Sequence, residues 1–418
     1  MPSVKSQRDR VLATALAAVS FVLLASFGDT APGLAVSGSP KLPLAGPSSQ
    51  QSSPPATTKP ANGTTPAVLV VSPADRAIDV RPNAPVTVRV SSGSLRVVTL
   101  VDAKGNRVDG QTGLDGIWGA SEILRPSTAY TFAIGAIGPD GMPTTTRSTF
   151  RTLKPNVSAT YSLIPSGGIV GVGMPVIVQF DTAIATKTQR AEVEKRVKVT
   201  TVPVQRGAWG WLDDRQLMWR PQNYWRPGTK VTVSTPLHGV QTGDNKWITQ
   251  DGGTSFTVGS SMVSSVDMNA HILKVRRNGV LIQTFPVSTG RPGPLTETRY
   301  GTKVVMERSS VVVMDSATIG IPKGNPNYYK ITTYWNLRLT WTGEYIHSAP
   351  WSVGAQGSQN VSHGCTNMSP YAAQWMFDNS KVGDVVTFTG SSRKFQPAEG
   401  IGVWVYSFAG WKAQSALV

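Results

Sequence analysis

Two stretches of this chain repeat each other. Leu124-Arg125-Pro126-Ser127-Thr128-Ala129-Tyr130-Thr131 resembles Trp225-Arg226-Pro227-Gly228-Thr229-Lys230-Val231-Thr232. Upstream, Asn83-Ala84-Pro85-Val86-Thr87-Val88 resembles Gly173-Met174-Pro175-Val176-Ile177-Val178. Each block closes on a hydroxyl residue and a phenylalanine, Thr149-Phe150 and Ser255-Phe256. Self-similarity of this kind marks one supersecondary unit used twice. The repeated segments also alternate apolar and polar residues, as in Val86–Val90, Tyr130–Ile134 and Val231–Val233. That is the period of a half-buried strand. Turn residues separate such runs at short intervals, which suits a sandwich. The expectation is therefore two copies of one β-sandwich, residues 67–153 and 154–258. The second copy carries Trp209, Trp211, Trp219 and Trp225. They are expected in core and turns rather than on a ligand platform.

Near residue 262 the pattern changes. Residues 269–282 read as strand, Asn278-Gly279 turn, strand, the strongest short hairpin signal. More strands are expected around 303–314 and 331–347, and Val385–Thr389 closes a third domain spanning 259–390. One helix is expected at 369–377, with Ser369 as N-cap and Pro370 as first helical residue. Residues 391–418, with Trp404 and Trp411, are expected as a tail packed on that domain. The fold class is mainly β, with one or two short helices. Composition agrees: of 418 residues, 41 are Gly and 30 Pro, and charged residues make up only 15%, unlike a long helical or charged disordered chain.

The first residues look like export machinery. Lys5, Arg8 and Arg10 precede an apolar stretch from Val11 to Phe27, the layout of a secretory signal or uncleaved anchor. Ala35-Val36-Ser37 is a weak cleavage site. Segment 1–33 is expected as signal or membrane anchor, and 34–66, rich in Pro, Ser and Thr, as an extended linker. An exported, cell-envelope location follows. The net charge of +16 favours anionic polymers or headgroups as partners. No basic helix or recognisable module supports nucleic acid.

The chemistry concentrates late in the chain. Cys365 is the only cysteine, so no intramolecular disulfide can form. It stands in Ser362-His363-Gly364-Cys365-Thr366-Asn367, and His347 lies upstream at the end of an expected strand. Nucleophilic cysteine catalysis needs an ionisable thiol, a base within reach, and donors for the developing oxyanion. Gly364 lets the backbone approach a substrate closely, and Asn367 and Ser369 could fix the turn around the thiol. The rival for the same residues is a zinc site from His347, His363 and Cys365. His238 and His271 are isolated and read as structural. Glu297 and Glu307 lack a paired carboxylate, so a glycosidase has no support.

These residues resemble the L,D-transpeptidase family, whose hallmark is a histidine, a spacer, then Ser-His-Gly-Cys-x-Asn. Together, the exported segment, two immunoglobulin-like domains, catalytic domain and tryptophan-bearing tail are similar to the mycobacterial members with two such domains. A lipoprotein cysteine is absent from this chain. The resemblance implies that Cys365 attacks the donor stem tetrapeptide of peptidoglycan, releasing D-alanine and forming a thioester. An amine of a neighbouring stem would then complete a 3→3 cross-link. His347 would be the base, oriented by the Ser348 carbonyl. Backbone N–H groups of Gly364 and Cys365 would form the oxyanion hole. Ser362, His363, Asn367, Tyr329, Met314 and Trp351 would line the pocket under a lid at 311–334. It also implies acylation by carbapenem β-lactams and no metal or organic cofactor. Chemistry alone leaves two rivals open: a carboxypeptidase or endopeptidase with the same Cys/His pair, and a non-catalytic surface-binding protein.

Overall fold

The computed structural model describes residues 65–418, so the N-terminal apolar stretch and nearly all of the expected linker lie outside the described residues. What it describes is mainly β. Residues 65–153 form two sheets packed face to face. One runs Val68–Ser72, Thr87–Ser92, Trp118–Ala120, Gly110–Thr112; the other runs Ala77–Val80, Pro143–Thr152, Ala129–Ile137, Ser94–Asp102, Arg107–Val108. Alternation places Tyr130, Phe132 and Ile134 inward along one strand. They meet Val88, Leu100, Trp118 and Phe150 in one apolar core, where Trp118 stands edge-on to Phe132 at 5.9 Å.

Residues 154–258 build a second sandwich, with sheets Tyr161–Ile164, Val176–Phe180, Gln216–Pro221, Gly207–Trp211 and Ile169–Val170, Gly252–Val258, Lys230–Thr235, Lys198–Val202. The repeat read from sequence has a geometric counterpart. A Cβ on Gly110 would meet the Trp118 ring at 2.1 Å, and one on Gly207 would meet the Trp219 ring at 2.1 Å. Each hairpin thus keeps a glycine beneath its tryptophan because no larger residue fits. Trp211, Trp219 and Trp225 are buried in the second core. One helix, Lys187–Glu194, was not legible as such; its start is fixed by a Thr186–Gln189 capping box.

The last layer holds two sheets. One is Val280–Pro286, Ile272–Arg277, Met262–Asp267, Val385–Thr389, Gly301–Val304; the other is Glu307–Asp315, Lys330–Arg338, Tyr345–Ser348, Thr366–Met368. Asn278 and Gly279 have φ of 50° and 86°, the left-handed pair that a tight two-residue hairpin demands. The expected helix spans Pro370–Asn379, with Ser369 Oγ accepting from the Ala372 N–H. Ser369 is therefore a helix cap and does not fix the thiol turn.

The tail is a correction. Its residues up to Val405 pack on the last layer, through Phe395, the Arg299–Glu399 ion pair at 2.7 Å and the Gly402–Val405 turn against Gly301–Val304. Trp411 and Ala416 pack on the second sandwich, while Ile401 and Val403 lie in the core that joins the sandwich to Val304 and Val385 of the last layer. Trp411 Nε1 donates to Ala208 O at 3.1 Å, and the Ala416 N–H donates to Glu194 at 2.9 Å. An apolar tail goes where unfilled apolar surface remains, and that surface lies on the sandwich. Strand-like backbone contacts add to the joint: the Gly171 and Gly173 N–H groups donate to Val382 O and Gly383 O, both at 2.8 Å. A side chain at Gly171 would strike the Asp384 nitrogen at 2.2 Å. The second sandwich and the last layer therefore share one core.

Candidate active site

Three local devices bring the site together. The first is register. Tyr345–Ser348 and Thr366–Met368 run parallel, pairing His347 with Asn367 and Ser348 with Met368. Cys365 sits one residue before the second strand and is thereby held on the same sheet as His347.

The second device is the turn that carries the thiol. Gly364 has φ of +125°, a region that L side chains rarely enter. Ser362 Oγ accepts from the Gly364 N–H at 3.1 Å and donates to Cys365 O at 2.6 Å. Thr298 Oγ1 donates to Gly364 O at 2.9 Å and itself accepts from the Gly290 N–H at 2.8 Å. These bonds correct the expected oxyanion hole. The Gly364 N–H is already bound within the turn, which leaves the Cys365 N–H as the backbone donor with no internal partner among the described residues. Ser362 lines the cavity, but its hydroxyl is spent on the turn.

The third device is a buried ion cluster behind the sulfur. Glu344 is 3% exposed and Lys303 is fully buried. Glu344 accepts from Lys303 Nζ at 2.6 Å, and from Arg299 Nη1 at 2.9 Å and the Arg299 N–H at 3.0 Å. Burial alone would raise the Glu344 carboxyl, yet the Lys303 and Arg299 charges hold it below its ordinary range. The cluster fixes the loop whose Gly343 carbonyl accepts from the Cys365 thiol at 3.4 Å.

His347 is 3% exposed. Its Nδ1 lies 2.8 Å from Ser348 O, which sets the tautomer: Nδ1 carries the proton and Nε2 keeps its lone pair. Burial lowers the imidazole to about 4. Burial likewise raises the Cys365 thiol to about 12; Glu344 raises it further, while the Tyr345 N–H and Lys303 oppose that rise. At rest both partners are neutral, and the thiol's bond runs to Gly343 rather than to the imidazole. Cys365 is 6% exposed but lines a cavity of about 610 Å³ together with His347. The cavity thus brings an undissociated thiol and a neutral imidazole into one lining.

Met314, Tyr329, Trp351, His363 and Asn367 line the same cavity. Tyr329 stacks near His363, with ring centroids 4.9 Å apart, and Trp351 stands 6.1 Å from the His347 ring. Asn367 donates to Ser352 Oγ at 3.0 Å, so its side chain braces the wall. The His363 ring is lowered by burial and then by the Arg291 charge. Sequence reasoning named Lys330 and Ile331 only within the lid segment 311–334, and missed Ser352, Gly354, Ala355 and Val361 in the lining and the Arg299–Lys303–Glu344 cluster. A lysine inside Gly301-Thr302-Lys303-Val304-Val305 was the one available signal. His238 and His271 lie away from the cavity, bonded to Asp251 and to Asn360. Among the described residues no three His, Cys, Asp or Glu side chains are placed to share a metal ion.

Known proteins share this arrangement in sequence. Residues 77–241 match the bacterial Ig domain family. Residues 262–388 match the family described as the L,D-transpeptidase catalytic domain. L,D-transpeptidase 2 of Mycobacterium tuberculosis is 38% identical over 351 residues, which is 83% of this chain and 85% of that protein. L,D-transpeptidase 5 of the same species is 35% identical over 358 residues, 84% of this chain and 77% of that one. A solved LD transpeptidase in complex with imipenem is 36% identical, with a TM-score of 0.48, covering 56% of this chain and 100% of its own.

Proposed function

The chain belongs to the L,D-transpeptidase family, and on that premise we propose that it forms 3→3 cross-links in peptidoglycan through a thioester on Cys365. The observation that carries this reading is the His347 tautomer. With Nδ1–H held by Ser348 O at 2.8 Å, Nε2 is the ring's acceptor, in the same cavity as the chain's only thiol.

The steps balance as follows. A donor tetrapeptide places the carbonyl between its third and fourth residues over Cys365. The thiol leaves Gly343 O by side-chain rotation and passes its proton to His347 Nε2 as sulfur bonds to the carbonyl carbon. Because both groups are neutral at rest, proton transfer accompanies attack instead of preceding it. The oxyanion is met by the Cys365 N–H. His347 returns the proton to the departing amine, the C–N bond breaks and D-alanine leaves. The side-chain amine of diaminopimelate on a second stem then attacks the thioester, gives up a proton to His347, and the sulfur leaves and is reprotonated. No step draws on a metal or organic cofactor. A carbapenem would follow the first half only: its strained lactam opens on Cys365, and the tethered amine cannot depart.

We assign the enzyme to the cell envelope, exported and held or released through its N-terminal segment. The two sandwiches, the second of them joined to the catalytic layer by the shared core and tail, act as a spacer in the wall. The test is incubation with a disaccharide tetrapeptide and mass analysis of products. A cross-linked dimer with one D-alanine released per bond is expected. Tripeptide and D-alanine without dimer would instead assign a carboxypeptidase, and no reaction would leave a surface-binding protein.

A further inference from the structure

A second cavity, about 520 Å³, lies where the first sandwich meets the second. Lys104, Arg107, Arg125 and Arg151 line it, with Asp102 and Glu122 as the acids present and His238 contributed by the second sandwich. Asp102 is consumed locally: it accepts from the Lys104 and Asn106 N–H groups and from Asn106 Nδ2, at 2.8–2.9 Å. Arg125 is held at the rim by Asp251 at 2.8 Å. Lys104, Arg107 and Arg151 make no ion pair among the described residues. Lys104 feels the Asp102 carboxylate, but the four cations of the lining outnumber its two acids, and that excess of positive charge favours an entering anion.

The internal repeat supplies a second, independent observation. Ser127 lines this cavity with φ of 56°, and its counterpart Gly228 has φ of 78°. The backbone role is the same in both: the Ser127 N–H donates to Leu153 O and the Gly228 N–H to Val258 O, each at 2.8 Å. Glycine performs that role without strain in the second copy. A serine in the left-handed region carries a conformational penalty, and its hydroxyl, on an exposed residue, has no protein partner among the described residues and is open to an incoming group. The hydroxyl is what the first copy gains, beside the three cations.

We infer that this junction cavity binds a carboxylate-bearing strand of peptidoglycan, so that the sandwiches grip the wall while the catalytic layer works on a neighbouring stem. The stem peptides of the proposed substrate carry free carboxylates, which guanidinium groups bind through paired, charge-assisted hydrogen bonds. The assignment rests on the wall-directed reading of the active site, and its test keeps the two apart. All binding variants carry Cys365→Ala, so that retention on purified sacculi reads binding alone. Lys104→Ala/Arg107→Ala/Arg151→Ala should weaken cosedimentation with sacculi roughly tenfold or more at low salt. Removing three exposed cations elsewhere on the same sandwich, Arg89, Arg96 and Arg147, should leave retention unchanged. Ser127→Gly should weaken retention with a thermal midpoint equal to or above its parent. Equal losses in both triple variants, full retention by the junction variant, or binding to anionic phospholipid vesicles but not to sacculi would overturn the assignment. Carbapenem labelling of Cys365 in the parent chain reads the catalytic proposal separately: labelling with no sacculus binding refutes only the junction site.

Discussion

Replacing Glu344 by Gln should destabilise the catalytic layer and sharpen the thiol at once. Glu344 Oε2 faces Lys303 Nζ at 2.6 Å and Oε1 faces Arg299 twice, and Lys303 has no exposed surface. The amide removes the negative charge and turns a donor toward either the ammonium or the guanidinium. Breaking one side of a buried ion pair costs about 3–5 kcal/mol, because the remaining charge is stranded. At about 2–4 °C per kcal/mol, the midpoint of the transition that unfolds this layer falls by about 10 °C. Lys303→Met added to Glu344→Gln should recover part of the loss, since an apolar side chain no longer needs a counter-ion beside Phe388. The second effect has the opposite sign. Glu344 raises the Cys365 thiol, so its neutralisation makes the thiol more acidic and speeds alkylation at pH 7. Differential scanning calorimetry and iodoacetamide kinetics read the two effects. A single variant within about 1 kcal/mol of the parent, or a double variant less stable than the single, would refute the reasoning.

Asp384 gives a pH prediction. Burial raises its carboxyl to about 7, and Oδ1 has no hydrogen-bond partner among the described residues. The folded state favours the protonated form, so the stability this group contributes is complete below the ordinary aspartate range and is lost as pH rises through 7. Urea midpoints of the parent should fall between pH 5 and 8, and those of Asp384→Asn should be flatter; parallel slopes would count against it. Trp411→Ala should cost about 3–5 kcal/mol and expose the tail to limited proteolysis, and a tail still resistant to protease would mean it is held elsewhere. Gly364→Ala should cost about 1–3 kcal/mol from its positive φ and slow carbapenem labelling of Cys365 at least tenfold; unchanged labelling would show that the turn tolerates another backbone.

The legible parts of this molecule were those governed by local rules. The Asn278-Gly279 hairpin, the Ser369-Pro370 helix start and the Val385–Thr389 strand follow from turn chemistry, capping and period. His347 and Cys365 were read together from the motif, and parallel register explains how the fold brings both to one cavity. Much of what was missed depends on groups far apart in the chain or on dihedrals that the sequence does not state. The cluster of Arg299, Lys303 and Glu344 exists only once two sheets are stacked. The engagement of the Gly364 N–H by Ser362 needs the turn's actual dihedrals. The tail's destination depends on which core has apolar room left, which no property of residues 391–418 states. Even the helix Lys187–Glu194 announces itself through a capping box more than through an apolar stripe.

Intact mass spectrometry of the enzyme mixed briefly with a donor tetrapeptide addresses the catalytic claim most directly. The account predicts an added mass equal to the donor less one D-alanine, mapped to the peptide containing Cys365 and absent from Cys365→Ala. Release of D-alanine with no adduct on Cys365, or its persistence in Cys365→Ala, would contradict it.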